Sequence, residues 1–405
     1  MNTHTLRAEI KSKAPQEQPS MCTRRQMMSA GLGVSIAAGF CWPGASLPRL
    51  QADEFNLGEI ETLIAGAITA GDLPGAVVSC AGRGQIHYRQ TFGHRWLSPD
   101  LTRLTDDTVF DLASITKSVA TATSVALLYQ GGNIDPKATV KHYLPEFKGR
   151  GKDAITVEQC LLHTSGLTPD NALADYLSGS EIAWENICGL GLRSEPGIKF
   201  SYSDVGFIVL GKLVERISGM TIDRFASERI FQPLQMPDTG FNPPAALKPR
   251  IAPTENDGDG WVWGRVHDPR AHAMGGVAGH AGLFSTADDL TKFGQALLAA
   301  SRGESDWMKE STLHWMSHPH PVPASEPRGT RALGWDHRSP YSRNRGQAFS
   351  EQAFGHGGFT GTVLWIDPTK ELVFVWLSSR LYPDGKGTVN ALAGNVATIL
   401  GKQFG

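Results

Sequence analysis

From Ser114 to Tyr129 the chain reads SITKSVATATSVALLY, and wound as a helix it carries Ala, Val and Leu on almost every side. A helix with no polar face has to be wrapped by other elements, so this stretch demands a large folded body around it. The length of 405 residues, 40% hydrophobic and 19% charged, supplies the apolar material for one big domain or two interleaved ones. Gly131-Gly132 ends the helix.

The flanking patterns sort by position along the chain. Leu57 to Ala70 reads as an amphipathic helix, followed by strand-like runs Gly75 to Cys80 and Gln85 to Phe92 about a turn at Gly82 to Gly84. Far downstream, Gly361 to Ile366 and Glu371 to Ser378 form a second pair of strands about Asp367-Pro368, and Val389 to Gly401 reads as a closing helix. Between them, Asp204 to Ser218 and Ser285 to Ala300 are helical, the latter with Thr286 and Asp288-Asp289 capping and acidifying its start. Strands near both ends with helices between predict an α/β fold: an antiparallel sheet flanked by helices, formed by residues 53–135 and 275–405. Residues 136–274, rich in Gly and Pro breaks and poor in strand pattern, form an inserted, mainly helical subdomain.

Residues 1–52 are unlike the rest. Thr23-Arg24-Arg25-Gln26-Met27-Met28 leads into a weakly apolar run from Ser29 to Trp42, the order of a twin-arginine export signal, with cleavage after Ala45 or Ala52. The run is shorter than the roughly 20 residues a stable membrane span requires. Loss of the leader removes Cys22 and Cys41 and leaves Cys80, Cys160 and Cys188, an odd set that implies no disulfide framework and reads as core filler. A formal charge of −2 creates no field to gather nucleic acid or an anionic membrane, so a small-molecule substrate fits better.

Three short motifs carry chemistry. Ser114-Ile115-Thr116-Lys117 opens the apolar helix, and its spacing puts hydroxyl and amine on one face, where a buried amine can take the hydroxyl's proton and helix-start N–H groups can face an oxyanion. Tyr202-Ser203-Asp204 heads the next long helix; its phenol can relay a proton beside a cation, or the segment can simply cap the helix. Gly355-His356-Gly357-Gly358-Phe359-Thr360-Gly361 precedes a strand, and its glycines let backbone approach a ligand, or merely turn into the strand.

Taken in order, these motifs, with Asp111-Leu112-Ala113 before the serine and Leu161-Leu162-His163-Thr164-Ser165-Gly166-Leu167, resemble the serine β-lactamase and penicillin-binding-protein family, in particular its class C β-lactamase-like branch, over about Leu73 to Ser379. The resemblance implies an α/β sandwich with a helical subdomain, an active site between them, and no metal or cofactor. It implies Ser114 as nucleophile, Lys117 and Tyr202 as acid/base pair, and the His356-Gly357-Gly358 segment as substrate-lining strand. The oxyanion hole would come from the Ser114 and Phe359 N–H groups. The stretch Val266-His267-Asp268-Pro269-Arg270 to Gly275-Gly276-Val277-Ala278-Gly279-His280-Ala281-Gly282 resembles a subgroup with cell-wall-fragment hydrolases.

Two departures bear on function. His356-Gly357-Gly358 stands where β-lactamases usually carry Lys-Thr-Gly, which removes the cation that meets a β-lactam carboxylate. Asp204 stands where they usually carry Asn; ionised, it accepts but does not donate, and is expected beside Lys117, favouring its charged form and shifting the base role to Tyr202. His267, Asp268 and His280 offer metal-ligand chemistry without a metal-motif spacing, so a loop with one histidine touching substrate is expected instead. Trp261 and Trp263 read equally as cleft rim or as packing. The expectation is an exported serine hydrolase acting on an amide or ester of peptidoglycan-derived peptides, as a D-Ala carboxypeptidase or muramoyl-peptide amidase. Its rivals are a carboxylesterase of the same family and a non-catalytic penicillin-binding sensor or wall-binding domain.

Overall fold

The computed structural model describes residues 57–324 and 329–405, so the expected leader, with Cys22 and Cys41, lies outside the described residues. Among the described residues no helix is long and apolar enough to cross a membrane.

Among the described residues twelve strands form two sheets. β1 (Gly75–Gly82), β2 (Gln85–Trp96), β3 (Thr102–Arg103), β7 (His320–Pro321), β8 (Thr330–Ala332), β9 (Trp335–Arg338), β10 (Phe354–Gly358), β11 (Thr362–Asp367) and β12 (Leu372–Ser378) make one antiparallel sheet. Its order is β3-β2-β1-β12-β11-β10-β9-β8-β7, so an early strand pairs with the last, Ala76 opposite Ser378 and Cys80 opposite Phe374. Strand alternation divides the apolar side chains between two faces. Val78, Trp365 and Trp376 pack toward helices Gly58–Ala70 and Asn390–Phe404, while Val77, Leu364 and Val375 pack toward helices Ala287–Ser301 and Glu310–Ser317. Covered on both faces, β1, β11 and β12 are buried throughout, which is why they read as nearly continuous apolar runs.

A separate core gathers helices of the middle region around Phe207, Leu210 and Val214 of helix Asp204–Ser218, and takes in Ala122, Val125 and Leu128. The same helical rod gives Val119, Ala120 and Ala126 to the sheet-side core. It therefore lies between two apolar bodies, as a helix with no polar face must.

The structure corrects the sequence in three places. Ser114 precedes the helix instead of starting it, and Lys117–Ala122 is wound as a π-helix before the α-helix Thr123–Gln130. Such segments recur at functional sites because they re-aim side chains by a fraction of a turn. The middle region contributes β5 (Gly240–Phe241), which joins β4 (Phe110–Asp111) and β6 (Leu283–Ser285) in a three-stranded sheet; strands of two or three residues carry no period to read. The glycine segment at 354–358 forms the strand that the resemblance implied, β10, where the glycine pattern alone read as a turn into the next strand; it pairs with β9 at Gly355, and residues 356–358 have β11 as their strand partner.

Gly279 shows how closely the loop after helix Pro269–Ala273 approaches helix Asp204–Ser218. A Cβ there would lie 2.0 Å from the Phe207 carbonyl oxygen and 3.1 Å from Gly211 Cα. Both contacts are backbone, which cannot swing aside. Gly279→Ala is expected to destabilise the protein by about 1–3 kcal/mol, read as a lowered urea midpoint with unchanged slope.

Candidate active site

Asp111 fixes the approach to Ser114. Its buried carboxylate accepts from the Ala113 N–H (2.8 Å) and the His267 N–H (2.7 Å). Ala113, held this way, adopts φ 45°, a left-handed conformation that costs a non-glycine residue of order 1 kcal/mol and turns the chain sharply into the helix. Ser114 emerges at this turn on the wall of a cleft of about 410 Å³, shared with Tyr202, His356, Gly357, Gly358 and Phe359.

Lys117, 1% exposed, is the centre of the arrangement. Its Nζ lies 3.0 Å from Ser114 Oγ, 3.0 Å from the His280 carbonyl oxygen and 2.7 Å from Asp204 Oδ1, with the Tyr202 ring centroid at 5.0 Å. The Asp204 contact is a direct ion pair. Burial works to lower the lysine's pKa, but Asp204 and Tyr202 together outweigh it and hold the ammonium above its ordinary value. Burial likewise works to raise Asp204, and Lys117 followed by His280 overcomes it, leaving the carboxyl below its ordinary value. The pair is therefore ionised at neutral pH, and the expected closeness of Asp204 to Lys117 is found.

Tyr202 is framed by aromatic rings. The His163 imidazole stacks on it at 4.3 Å and takes the Ser203 N–H on Nδ1 at 2.9 Å, which locates the Leu-Leu-His-Thr-Ser-Gly-Leu motif beneath the phenol. Helix Asp204–Ser218 is capped by Ser203, whose hydroxyl accepts from Gly206 N–H, so Asp204 is free of the capping role and faces Lys117 instead.

The turn after β10 is stapled to the turn before Ser114. Thr360 Oγ1 donates to the Asp111 carbonyl (2.7 Å) and Thr362 Oγ1 to that of Leu112 (3.2 Å). Among the described residues neither the Ser114 nor the Phe359 N–H has a backbone partner, so two donors beside the cleft remain available to an oxyanion. Gly358 is required here by the protein itself: a Cβ would meet the Leu112 carbonyl oxygen at 2.4 Å.

A profile of the Beta-lactamase family matches residues 60–398. The chain belongs to that family. This Beta-lactamase-family chain is a serine hydrolase. It is 33% identical to the N-acetylmuramyl-L-alanine amidase of Bacillus subtilis (strain 168) over 80% of this chain and 81% of that protein. A putative D-alanyl-D-alanine carboxypeptidase of Salmonella schwarzengrund (strain CVM19633) is 34% identical over 69% of this chain and 71% of that one. The solved structure of EstCE1, a hydrolase with promiscuous acyltransferase activity, superposes with a TM-score of 0.69 at 20% identity, over 85% of this chain and 97% of that one, a likeness of fold.

Around the site of this family member, several residues went unassigned in the sequence. Asp268 and His280, twelve apart, meet through His280 Nε2 and Asp268 Oδ1 at 3.0 Å beside Asp204, and their ligand-type atoms with that of Asp204 lie within 4.8 Å of one another. The Lys117 ammonium faces Asp204 directly, whereas Asp268, which burial works to raise, is held below its ordinary carboxyl value by His280 and the Ala271 N–H, with Lys117 last. His267 is apart from this group: its Nε2 pairs with Glu255 (2.7 Å) and its ring lies 5.8 Å from that of Phe359. Arg331 on β8 gave no motif; it reaches the cleft wall between the rings of Phe200 and Tyr202, with centroids 5.7 and 5.8 Å from its guanidinium carbon. Trp261 and Trp263 cluster with Trp96, and Trp261 with Tyr382, away from the cleft lining. Cys80 and Cys160 are buried free thiols pushed up to about 12 by burial, too high for nucleophiles.

Proposed function

We propose that this chain is an exported serine hydrolase that cleaves an amide in peptidoglycan fragments through an acyl-enzyme on Ser114. The observation that carries it is the buried Lys117 ammonium, 3.0 Å from Ser114 Oγ and 2.7 Å from Asp204, beside a cleft lined by Ser114 and Tyr202. Ser114 Oγ accepts from Lys117, so its own hydrogen is free to move as the oxygen attacks the substrate carbonyl. The Tyr202 phenol relays it, its oxygen accepting the Ser114 hydrogen as its own hydrogen passes to the leaving nitrogen; a water then attacks the acyl carbonyl, and its hydrogen returns through the phenol to Ser114 Oγ as that ester bond breaks. The Ser114 and Phe359 N–H groups receive the oxyanion, and Asp204 holds Lys117 charged throughout.

The substrate class follows the relatives named for muramyl-L-alanine amide and D-alanyl-D-alanine chemistry. Export follows the Arg24-Arg25 pattern ahead of an apolar run. In this reading residues 53–135 and 275–405 form the sandwich, 136–274 the insertion, and the cleft lies where they meet. A carboxylesterase is the second reading, favoured by the absence of a strand lysine at His356.

Incubation with a fluorophosphonate, digestion and mass spectrometry should find the adduct on the Ser114 peptide; an unlabelled Ser114 in folded protein rejects the mechanism. Release of L-alanine from N-acetylmuramoyl-L-alanine, against cleavage of a short-chain p-nitrophenyl ester alone, separates amidase from esterase.

A further inference from the structure

Three histidines fall within seven residues in His314-Trp315-Met316-Ser317-His318-Pro319-His320, a concentration the hydrolase chemistry does not use. The backbone gathers their rings in two steps. His314 lies in the last turn of helix Glu310–Ser317, and the His318 N–H donates to its carbonyl (2.9 Å), so the two side chains stand one turn apart on one face. His318 then leaves the helix at φ −59° and ψ 131°, the extended conformation a following proline favours, and leads into β7. Residues two apart in an extended segment share a side, which brings His320 back to the His318 ring. The ring centroids of His314 and His318 are 5.4 Å apart, and those of His318 and His320 5.6 Å.

The three rings are accessible and otherwise unengaged. His314 and His318 are exposed and His320 is half-buried. Among the described residues no side-chain hydrogen bond or ion pair takes up any of the three imidazoles. Burial holds His320 below the ordinary histidine range, with Glu158 working against it, so at neutral pH its ring keeps the lone pair that a cation needs. The charges acting on His320 from outside the triad are Glu158 and Lys137, which pair with each other and leave little net field. An ion here is therefore held by nitrogen. Asp204, Asp268 and His280 make a tighter set, but the Lys117 ammonium 2.7 Å from Asp204 opposes a second cation there.

Two imidazoles bound tetrahedrally to one ion, through metal–nitrogen bonds of about 2.1 Å, have ring centres about 5 Å apart. Both separations in the triad are close to this, and the exposed rings of His314 and His318 can turn between rotamers without displacing packed neighbours.

We infer that His314, His318 and His320 form a surface binding site for a borderline divalent transition cation of the zinc class, with His318 as the shared central ligand. Imidazole nitrogen suits such ions, whereas magnesium and calcium call for oxygen. The i, i+4 pair on the helix supplies two ligands from one face and β7 supplies the third. The site is separate from the cleft and independent of the acyl-enzyme reading. β7 is the edge of the main sheet, and His320 stands opposite Arg331 of β8. The ion thus clamps the end of helix Glu310–Ser317 to that edge, beside the strand whose arginine reaches the cleft wall.

The test is calorimetric titration of the tag-free chain with ZnCl₂ and, separately, with MgCl₂. One Zn²⁺ per chain should bind with micromolar or tighter affinity, and Mg²⁺ should not. Loss of even an outer partner of a metal ligand costs about 10–100-fold in affinity, so His314→Ala and His320→Ala should each weaken Zn²⁺ binding about tenfold or more, and His318→Ala about 100-fold or more. His142→Ala, at an exposed histidine whose ring neighbour is Tyr143, should leave it unchanged. Wild type loaded with one Cu²⁺ should show nitrogen splitting from at least two imidazoles in its EPR spectrum, a reading that needs no variant. Absence of Zn²⁺ binding, Mg²⁺ binding as tight as Zn²⁺, or a Cu²⁺ spectrum without imidazole nitrogen overturns the proposal. So does Zn²⁺ binding that survives His314→Ala, His318→Ala and His320→Ala combined, which would place the ion elsewhere.

Discussion

Lys117→Met is expected to slow acylation of Ser114 about 10²–10³-fold, the range for loss of one preorganised donor that stabilises developing charge. It should also lower stability by about 3 kcal/mol, because Asp204 loses the ammonium that stabilises its charge. The lower end of the range for an orphaned buried charge applies, since the Asp204 side chain keeps 27% exposure and water can reach it. The two effects have separate origins and can be pulled apart. In Lys117→Met with Asp204→Asn the orphaned carboxylate is gone, so most of the lost stability should return while the rate stays as low as in the single variant. Urea denaturation reads the first and fluorophosphonate labelling kinetics the second. A single variant that reacts within tenfold of wild type, or a double variant that recovers rate, would remove Lys117 from the chemistry.

The residues of that pair were legible in the sequence for different reasons. Lys117 stood out because it is three residues from a serine inside a run with almost no other charge, where any ionised group needs a partner. Asp204 was placed near it by a departure from a family pattern, and the 2.7 Å contact bears this out. The main sheet was legible at β1, β11 and β12 because burial on both faces leaves long apolar runs, and at β2, which is mostly half-buried, from its place after the Gly82 to Gly84 turn. Strands such as β3, β7 and β8 were not, because two or three residues fix no period. Nor were Arg331, Thr360 and Thr362 assigned roles: each acts through contacts with residues more than a hundred positions away, and a single arginine or threonine carries no local sign of that. Asp268 and His280 lie between these extremes. Their residue types suggested a ligand set with His267, but the fold turns His267 toward Glu255 and gives the other two to Asp204.

Asp204→Asn leaves Lys117 buried without the carboxylate in direct contact with it, and the consequences depend on pH in a definite order. In wild type the lysine's folded value is raised, so its contribution to stability is complete below the unfolded lysine value and is lost as pH rises through the folded one. Asp204 has a depressed folded value, so its contribution is present above the unfolded carboxyl value and disappears as pH falls through the folded one. The stability gap between wild type and Asp204→Asn should therefore be widest between these limits, about 3–4 kcal/mol near neutrality for a nearly fully buried ammonium. It should narrow in acid, where the wild-type carboxyl protonates, and in alkali, where the stranded lysine is relieved by losing its proton. Activity divides the roles more sharply. With Tyr202 moving the proton and Lys117 required as a cation, the alkaline limb of the acylation rate should shift to lower pH in the variant, since burial is no longer opposed by Asp204. A rate that instead increases at neutral pH would show neutral Lys117 to be the base, and superimposable limbs would show that the Asp204 charge does not govern the reaction at all.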